Sequence, residues 1–110
     1  MRRVLMGDFD ALYRLGFSEI LSSQSVELIE ATATGVLDRL VEARPDVVVL
    51  DQEKDETEDL VDRIVHDFPA IRVITCSSGA PTMRIFPSFH RGESYSRPLD
   101  PALFEREVQG

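Results

Sequence analysis

The sequence predicts one α/β domain of three layers, a five-stranded parallel sheet with helices on both faces. The chain has 110 residues, which is enough for one domain and leaves no room for a second. Short apolar runs typical of buried strands alternate with longer stretches whose apolar residues recur at helical spacing. Because alternation of this kind produces parallel strands connected by helices, we expect a doubly wound sheet.

The amino-terminal elements are a strand, a helix and an edge strand. Residues 3–6 read RVLM, an apolar run that stops at a Gly-Asp pair and predicts a buried strand. Asp10 is the predicted N-cap of the following helix. Residues 26–29 predict a second strand, and because Glu27 and Glu30 alternate into it, we expect that strand at the edge of the sheet.

A second helix, a central strand and a third helix follow. Thr34 is the predicted cap of the second helix, which Pro45 prevents from continuing. Residues 47–50 read VVVL and predict the central strand. Asp55 is followed three residues later by Glu58, the spacing of a capping box, so Asp55 is the predicted start of the third helix.

The pattern becomes less regular in the last third of the chain. Residues 71–75 predict a fourth strand. Prolines and glycines then interrupt the sequence and predict at most a short, irregular fourth helix near residues 82–86. Tyr95 is assigned to a short fifth strand, and the last helix is expected to begin at Asp100 or Pro101.

The expected strand order is 2-1-3-4-5, the flavodoxin-like arrangement, because right-handed crossovers leave few alternatives. In such sheets, functional residues lie beyond the carboxyl ends of the strands. Asp8 follows the first predicted strand, Asp51 the third and Ser77 the fourth. The sequence therefore predicts that these three polar side chains meet at one edge of the sheet.

The charge of the chain is unevenly distributed. The formal net charge is −8, and residues 1–69 carry 16 acids and 7 bases, whereas residues 70–110 carry 4 acids and 5 bases. Because nucleic acids bind to basic surfaces, we expect no direct nucleic-acid binding. The weakly basic remainder is a candidate surface for protein contacts.

The number of cysteines and the hydropathy of the sequence predict the cellular compartment. Cys76 is the single cysteine, which excludes an internal disulfide or a multi-cysteine metal site and is typical of a reducing compartment. Its apolar neighbours predict a buried, inert thiol. Neither a signal-peptide pattern nor an apolar run near the ~20 residues of a membrane helix is present. We therefore expect a soluble cytoplasmic protein that does not bind membranes.

Four stretches, which together span most of the chain, resemble one known family. They are RVLMGDFDALYRLGF with Asp8, ARPDVVVLD with Asp51, FPAIRVITCSS with Ser77, and YSRP with Tyr95 and Arg97. Their order and spacing are similar to those of the receiver domains of bacterial two-component response regulators. The closest likeness is to receivers attached to helix-turn-helix DNA-binding domains.

The resemblance implies a role for each of these residues in a phosphorelay. Asp51 would be the phosphoacceptor, and Asp8 and Asp51 would hold Mg²⁺, which neutralises the phosphoryl charge. Ser77, Tyr95 and Arg97 would contact the phosphoryl group or switch when it binds. A sensor histidine kinase would be the partner and transcription regulation the output, with this domain as the amino-terminal part of a longer regulator.

The sequence departs from the family pattern in four places. Phe9 stands where the second acid of the metal site is expected, and Arg97 replaces a lysine from which it differs in shape. Asp55 and Asp59 occupy positions where the family has proline and glycine. Residues 77–94 replace a regular helix of the signalling surface. These departures predict weak Mg²⁺ binding.

Three functions are compatible with these residues. The first is a degenerate, pseudo-receiver domain without enzyme activity, switched by a ligand, a protein partner or homodimerisation through residues 79–110. The second is a functional Mg²⁺-dependent receiver phosphorylated at Asp51. The third is a phosphatase resembling the haloacid dehalogenases, with Asp8 as nucleophile and Asp10 as general acid or base. That enzyme also needs a lysine after the fourth strand, and the single lysine, Lys54, precedes it.

Overall fold

The computed structural model describes residues 2–7, 9, 11–22, 26–31, 35–77, 81–90 and 93–109. The strands in these ranges are β1 (Arg2–Met6), β2 (Val26–Glu30), β3 (Val47–Asp51), β4 (Arg72–Cys76), β5 (Thr82–Phe86) and β6 (Tyr95–Pro98). The helices are α1 (Ala11–Ser22), α2 (Val36–Ala43), α3 (Thr57–Asp67) and α4 (Pro101–Gln109), and a short 3-10 turn covers Ser88–His90.

The strands form one mixed sheet in the order β2-β1-β3-β4-β5-β6. The first four are parallel, whereas β5 is antiparallel to both β4 and β6. The predicted α/β class is confirmed, and the four parallel strands lie in the expected relative order. The prediction of a five-stranded, all-parallel sheet in the order 2-1-3-4-5 is wrong, because a sixth strand separates β4 from the strand that contains Tyr95.

The additional strand is the segment for which the sequence predicted an irregular helix. In β5, Met83 and Ile85 are buried, whereas Thr82 and Arg84 are exposed, which is the period of two that a strand imposes. The two prolines that argued against regular structure, Pro81 and Pro87, flank the strand and remove no hydrogen bond from its interior. The antiparallel pairing leaves one side of β5 in solvent, as such sheets permit.

The start of α3 also corrects the sequence prediction. The helix begins at Thr57 with Glu56 as its N-cap residue, so the predicted capping box of Asp55 and Glu58 is wrong. The reason is that the chain first makes two turns after β3. The Lys54 N–H donates to the Asp51 carbonyl at 3.2 Å, and the Thr57 N–H donates to the Lys54 carbonyl at 3.2 Å.

The start of the last helix and the edge position of the second strand agree with the sequence prediction. Asp100 caps α4, because its Oδ1 accepts hydrogen bonds from the N–H groups of Ala102 at 2.9 Å and Leu103 at 3.3 Å. The strand β2 lies at the edge of the sheet, as its alternating acids indicated. The predicted caps Asp10 and Thr34 lie outside the described residues.

The helices cover both faces of the sheet and give each face its own core. Phe17 of α1 and Phe104 of α4 pack on the face that carries Val49 and Ile74, here called the α1–α4 face. Leu40 of α2 and Ile64 of α3 pack on the opposite, α2–α3 face, which carries Val48, Leu50 and Val73. Within the described ranges, no helix is long and apolar enough to span a membrane.

Candidate functional site

Asp51 is the last residue of β3 and is buried, with 8% of its surface exposed. Strand alternation places it on the α1–α4 face, since Leu50 packs on the other side. Its Oδ1 accepts a hydrogen bond from the Glu53 N–H at 3.0 Å, and its carbonyl accepts one from the Thr57 hydroxyl. The backbone of Asp51 is therefore tied to the first turn of α3, and its carboxylate to the loop before that helix.

The strand ends next to Asp51 are closely packed. The Gly7 N–H donates to the Val49 carbonyl at 2.9 Å, and a Cβ at Gly7 would lie only 2.9 Å from Cδ2 of Leu50. A side chain at position 7 would therefore require the end of the Leu50 side chain to move. On the other side, the Gln52 N–H donates to the Cys76 carbonyl at 2.8 Å, which extends the pairing of β3 with β4 past Asp51.

Ser77 follows β4 at the same edge of the sheet as Asp51. Its hydroxyl donates a 3.3 Å hydrogen bond to Oε1 of Glu53, whose own N–H binds the Asp51 carboxylate. The structure thus brings Asp51 and Ser77 to one edge and links them through Glu53. Asp8, the third residue expected there, lies outside the described residues.

Phe9 occupies the position at which the family pattern has a second acid. It is buried, and its ring packs edge-on against Phe17 with the ring centroids 5.2 Å apart. Its carbonyl accepts two hydrogen bonds from the Arg14 guanidinium, at 3.3 and 3.1 Å. Phe9 is therefore part of the hydrophobic core, and its side chain offers no oxygen to a metal ion.

The described residues do not fit a Mg²⁺ site. Mg²⁺ prefers a near-octahedral shell of oxygens that includes one or two carboxylates. Among the residues that the structure describes, no three His, Cys, Asp or Glu side chains come together where they could hold a metal ion. At the Asp51 edge the carboxylates of Asp51 and Glu53 are each already hydrogen-bonded, to a backbone N–H and to Ser77.

Tyr95 and Arg97 belong to a separate group of side chains, here called the Glu107 cluster, formed by Arg72, Tyr95, Arg97 and Glu107. Arg72 lies 2.7 Å from the Glu107 carboxylate. The Tyr95 hydroxyl donates to that carboxylate at 2.9 Å and accepts from Arg72 at 2.8 Å. Arg97 Nε lies 3.3 Å from Glu107, and its guanidinium stacks 5.3 Å from the centre of the Tyr95 ring.

The surroundings of the Glu107 cluster raise the pKa of Tyr95. Burial is the largest cause, and the hydrogen bond to Glu107 acts in the same direction. Both favour the neutral hydroxyl, which can donate to the carboxylate. The Glu107 cluster is thus a structural tie between β4, β6 and α4.

The Glu107 cluster lies well away from Asp51 across the sheet. Asp51 pairs with Cys76, Cys76 with Met83, and Met83 with Arg97. Three strand spacings of ~4.8 Å place the Arg97 backbone about 14 Å from that of Asp51. The structure therefore does not bring Tyr95 and Arg97 to Asp51, because β5 lies between β4 and β6.

Cys76 pairs directly with Asp51 and is buried, as its apolar neighbours indicated. Burial raises the pKa of its thiol from 9.0 to about 12, and the negative charge of Asp51 adds to the shift. The thiol therefore stays protonated at neutral pH and acts as a small apolar group. It is not a nucleophile of this site.

The sequence analysis did not identify Arg72 or Glu107. A signal was present for Glu107, which lies between Phe104 and Val108 on the buried side of α4 and so requires a partner. The Arg72 guanidinium supplies that partner from β4.

No protein-family model matches the chain, and no curated protein matches it.

Proposed function

We propose that the protein is a receiver-type signalling module whose site around Asp51 is degenerate, so that it switches without a phosphoryl group on Asp51. The observation that carries the proposal is the position of Arg97. In a working receiver the basic residue of this motif would contact the phosphoryl oxygens. Here that residue forms an ion pair with Glu107 on the far side of β5.

The chemistry of phosphoryl transfer makes the displacement of Arg97 important. Protein groups catalyse the transfer mainly by positioning and by neutralising charge on the phosphoryl oxygens. A phosphorylated Asp51 would carry a charge of roughly −1.5 to −2 beside the Glu53 carboxylate. Neither Phe9, which is buried, nor Arg97, which is held by Glu107, would neutralise that charge. These residues favour an Asp51 that stays unmodified.

Two observations favour a signalling domain over an unrelated fold. The four stretches that resemble receivers are distributed between residues 3 and 98, and the parallel strands carry Asp51 and Ser77 to one edge of the sheet. Under this proposal the module works in the cytoplasm and responds to a sensor kinase or another protein partner. Its output is the regulation of transcription by an attached DNA-binding domain.

A second copy of the chain is the partner that we propose for the apolar groove between α1 and α4. This groove has a volume of about 300 Å³, and Leu12, which lines it, is 78% exposed. Among the described residues that line it, Asp100 is the one that carries a charge, and it caps α4. Because the rest of this described lining is uncharged, two copies of a chain with charge −8 bring little like charge together at the groove.

Sedimentation as a function of concentration tests this dimer. The wild-type chain should associate, and Leu12→Glu should shift it to the monomer while Val41→Glu, at another exposed apolar position, should not. A wild-type chain that stays monomeric at all concentrations would refute the dimer without affecting the assignment of the Asp51 site.

Nuclear magnetic resonance with Mg²⁺ and beryllofluoride, a mimic of the phosphoryl group, tests the degenerate site. The proposal predicts no saturable shift of the amides of Gln52, Glu53 and Ser77 upon addition of both reagents. Saturable shifts at these amides that vanish in Asp51→Asn would establish the alternative, a functional Mg²⁺-dependent receiver. The alternative is worth testing because Asp51 and Ser77 do share one edge.

A further inference from the structure

A groove of about 520 Å³ lies at the end of the molecule opposite Asp51, between the carboxyl ends of α2 and α3 and the amino ends of β3 and β4. Its volume is within the range of small-molecule sites. Most of its wall is apolar and comes from Leu40, Val41, Pro45, Phe68, Pro69 and Ile71. Val41 lines the groove and is 65% exposed, so a bound ligand would cover it.

The walls of this groove are held in place by backbone hydrogen bonds. The Asp46 N–H donates to the Arg3 carbonyl at 2.8 Å, and the Arg72 N–H donates to the Asp46 carbonyl at 3.1 Å. On the other wall, the Ile71 N–H donates to the Phe68 carbonyl at 3.0 Å. The groove is therefore preformed, which reduces the ordering cost of binding.

Arg44 is the cation at this groove. It is the C-cap residue of α2 and adopts the left-handed region, with φ 48° and ψ 62°, where glycine would be the unstrained choice. Among the residues that the structure describes, its side chain has no hydrogen-bond or ion-pair partner. Asp46, which also lines the groove, is already engaged by the Arg3 N–H at 2.9 Å and lies 4.0 Å from Arg2.

We propose that this groove binds a small amphiphilic carboxylate, with its apolar body against Val41, Phe68 and Ile71 and its carboxylate on the Arg44 guanidinium. The inference does not depend on the proposed function, because the groove and Asp51 lie at opposite ends of β3. A planar guanidinium pairs with a carboxylate or a phosphate through two parallel hydrogen bonds, so it favours such an anion over an uncharged polar group.

The other charges near the groove narrow the ligand further. The carboxyl ends of α2 and α3 carry partial negative charge, roughly half a charge each, whereas the charge of Asp46 is met by Arg2 and by the Arg3 N–H. These partial charges oppose a ligand with several negative groups, such as a nucleotide, while the full charge of Arg44 balances the two helix ends together. A cationic ligand would meet Arg44, and a neutral one would leave the guanidinium unpaired. A single carboxylate on an apolar body fits best.

Methyl-resolved nuclear magnetic resonance of the full chain tests this site, with phenylbutyrate as the probe and its amide, phenylbutyramide, as the uncharged comparison. Phenylbutyrate should cause saturable shifts of the methyl groups of Val41 and Ile71 and bind about tenfold more tightly than the amide, or about 1.4 kcal/mol. Arg44→Gln should reduce its affinity to that of the amide. The control Arg63→Gln removes another exposed arginine, one that pairs with Asp67 at 3.7 Å, and should change nothing.

Three results would overturn the proposal. They are the absence of saturable shifts at Val41 and Ile71, equal affinity for acid and amide, and an unchanged affinity in Arg44→Gln. Shifts confined to the methyl groups of Leu12 and Ile20 would assign the probe to the groove between α1 and α4, which equally contradicts the proposal. Because Arg44 is exposed, the variant keeps the fold, and a dispersed spectrum verifies this in the same experiment.

Discussion

Arg97 lies 3.3 Å from Glu107, Nε against Oε2, on the opposite side of β5 from Asp51. The carboxylate of Glu107 also receives Arg72 and the Tyr95 hydroxyl, so it joins three elements. The residue that resembles a phosphate-binding lysine therefore lies in the Glu107 cluster and away from Asp51.

Removing Glu107 should be costly, because Arg72 and Tyr95 would lose their acceptor in a largely buried position. The side chains of Arg72 and Glu107 are only 16% and 10% exposed. Breaking such a buried pair from one side leaves a charge unpaired, so we expect Glu107→Ala to lower the free energy of unfolding by about 3 kcal/mol. Urea denaturation measures the loss.

The matched variant is Arg97→Gln, which removes the half-exposed partner of the same carboxylate. Solvent screens this pair, so its loss should cost less than about 1 kcal/mol. Equal losses in the two variants would contradict the assignment of Arg72 as the main partner of Glu107.

Phe9 should matter for stability because it is buried against Phe17. We expect Phe9→Ala to lower the free energy of unfolding by about 3 to 5 kcal/mol, as for other buried aromatic residues. Leu12→Ala, at an exposed position on α1, should cost less than about 0.5 kcal/mol in dilute solution. Chemical denaturation of both variants measures the difference. A loss of less than about 1 kcal/mol in Phe9→Ala would show that Phe9 is not a core residue.

Cys76 should make the fold sensitive to alkaline pH. Its pKa is raised in the folded state, so its contribution to stability is complete below pH 9.0 and is lost as the pH rises towards about 12. Within that window the free energy of unfolding should fall by up to about 1.4 kcal/mol per pH unit from this group. Denaturation curves of the wild type and Cys76→Ala at several pH values measure the slope.

The slope of Cys76→Ala should be shallower than that of the wild type, although Tyr95, whose pKa is also raised, titrates in both proteins. In the folded wild type, a thiol reagent at pH 8 should react slowly, and unfolding should restore the reaction. Parallel slopes, or rapid reaction of the native thiol, would be incompatible with a buried, protonated Cys76.

Thr57 should stabilise the turn that carries Asp51 into α3, since its buried hydroxyl donates to the Asp51 carbonyl. Thr57→Val keeps the shape and removes this hydrogen bond, so it should cost about 1 kcal/mol. Thr82→Val makes the same change at an exposed strand position, where it should be close to neutral. Thermal unfolding of both variants distinguishes them, and equal melting temperatures would refute the role of the bond.

Local signals in the sequence were sufficient for much of the fold. The apolar runs RVLM and VVVL predicted β1 and β3, and the predicted start of the last helix at Asp100 or Pro101 agrees with α4, which Asp100 caps. The strand β5 was missed because Pro81 and Pro87 were given more weight than the alternation of Met83 and Ile85. A five-residue pattern is short, and pairing with β4 and β6 decides its structure.

The residues of the candidate site also differ in whether a local sequence pattern or a long-range contact decides their position. Asp51 and Ser77 share an edge because parallel strands align their carboxyl ends, a consequence of topology that the sequence pattern reveals. The position of Arg97 depends instead on how many strands lie between β4 and β6, which is a long-range property. The partner of Glu107 is Arg72, thirty-five residues earlier, and no local pattern identifies such a pair.

Intact mass spectrometry after incubation with acetyl phosphate and Mg²⁺ is the most direct test of the central claim. A receiver that is known to accept phosphate should be treated in parallel, and Asp51→Asn serves as the control variant. We expect an unmodified mass for this protein under conditions that phosphorylate the reference receiver. A phosphoryl adduct that forms on the wild type and is absent from Asp51→Asn would contradict it.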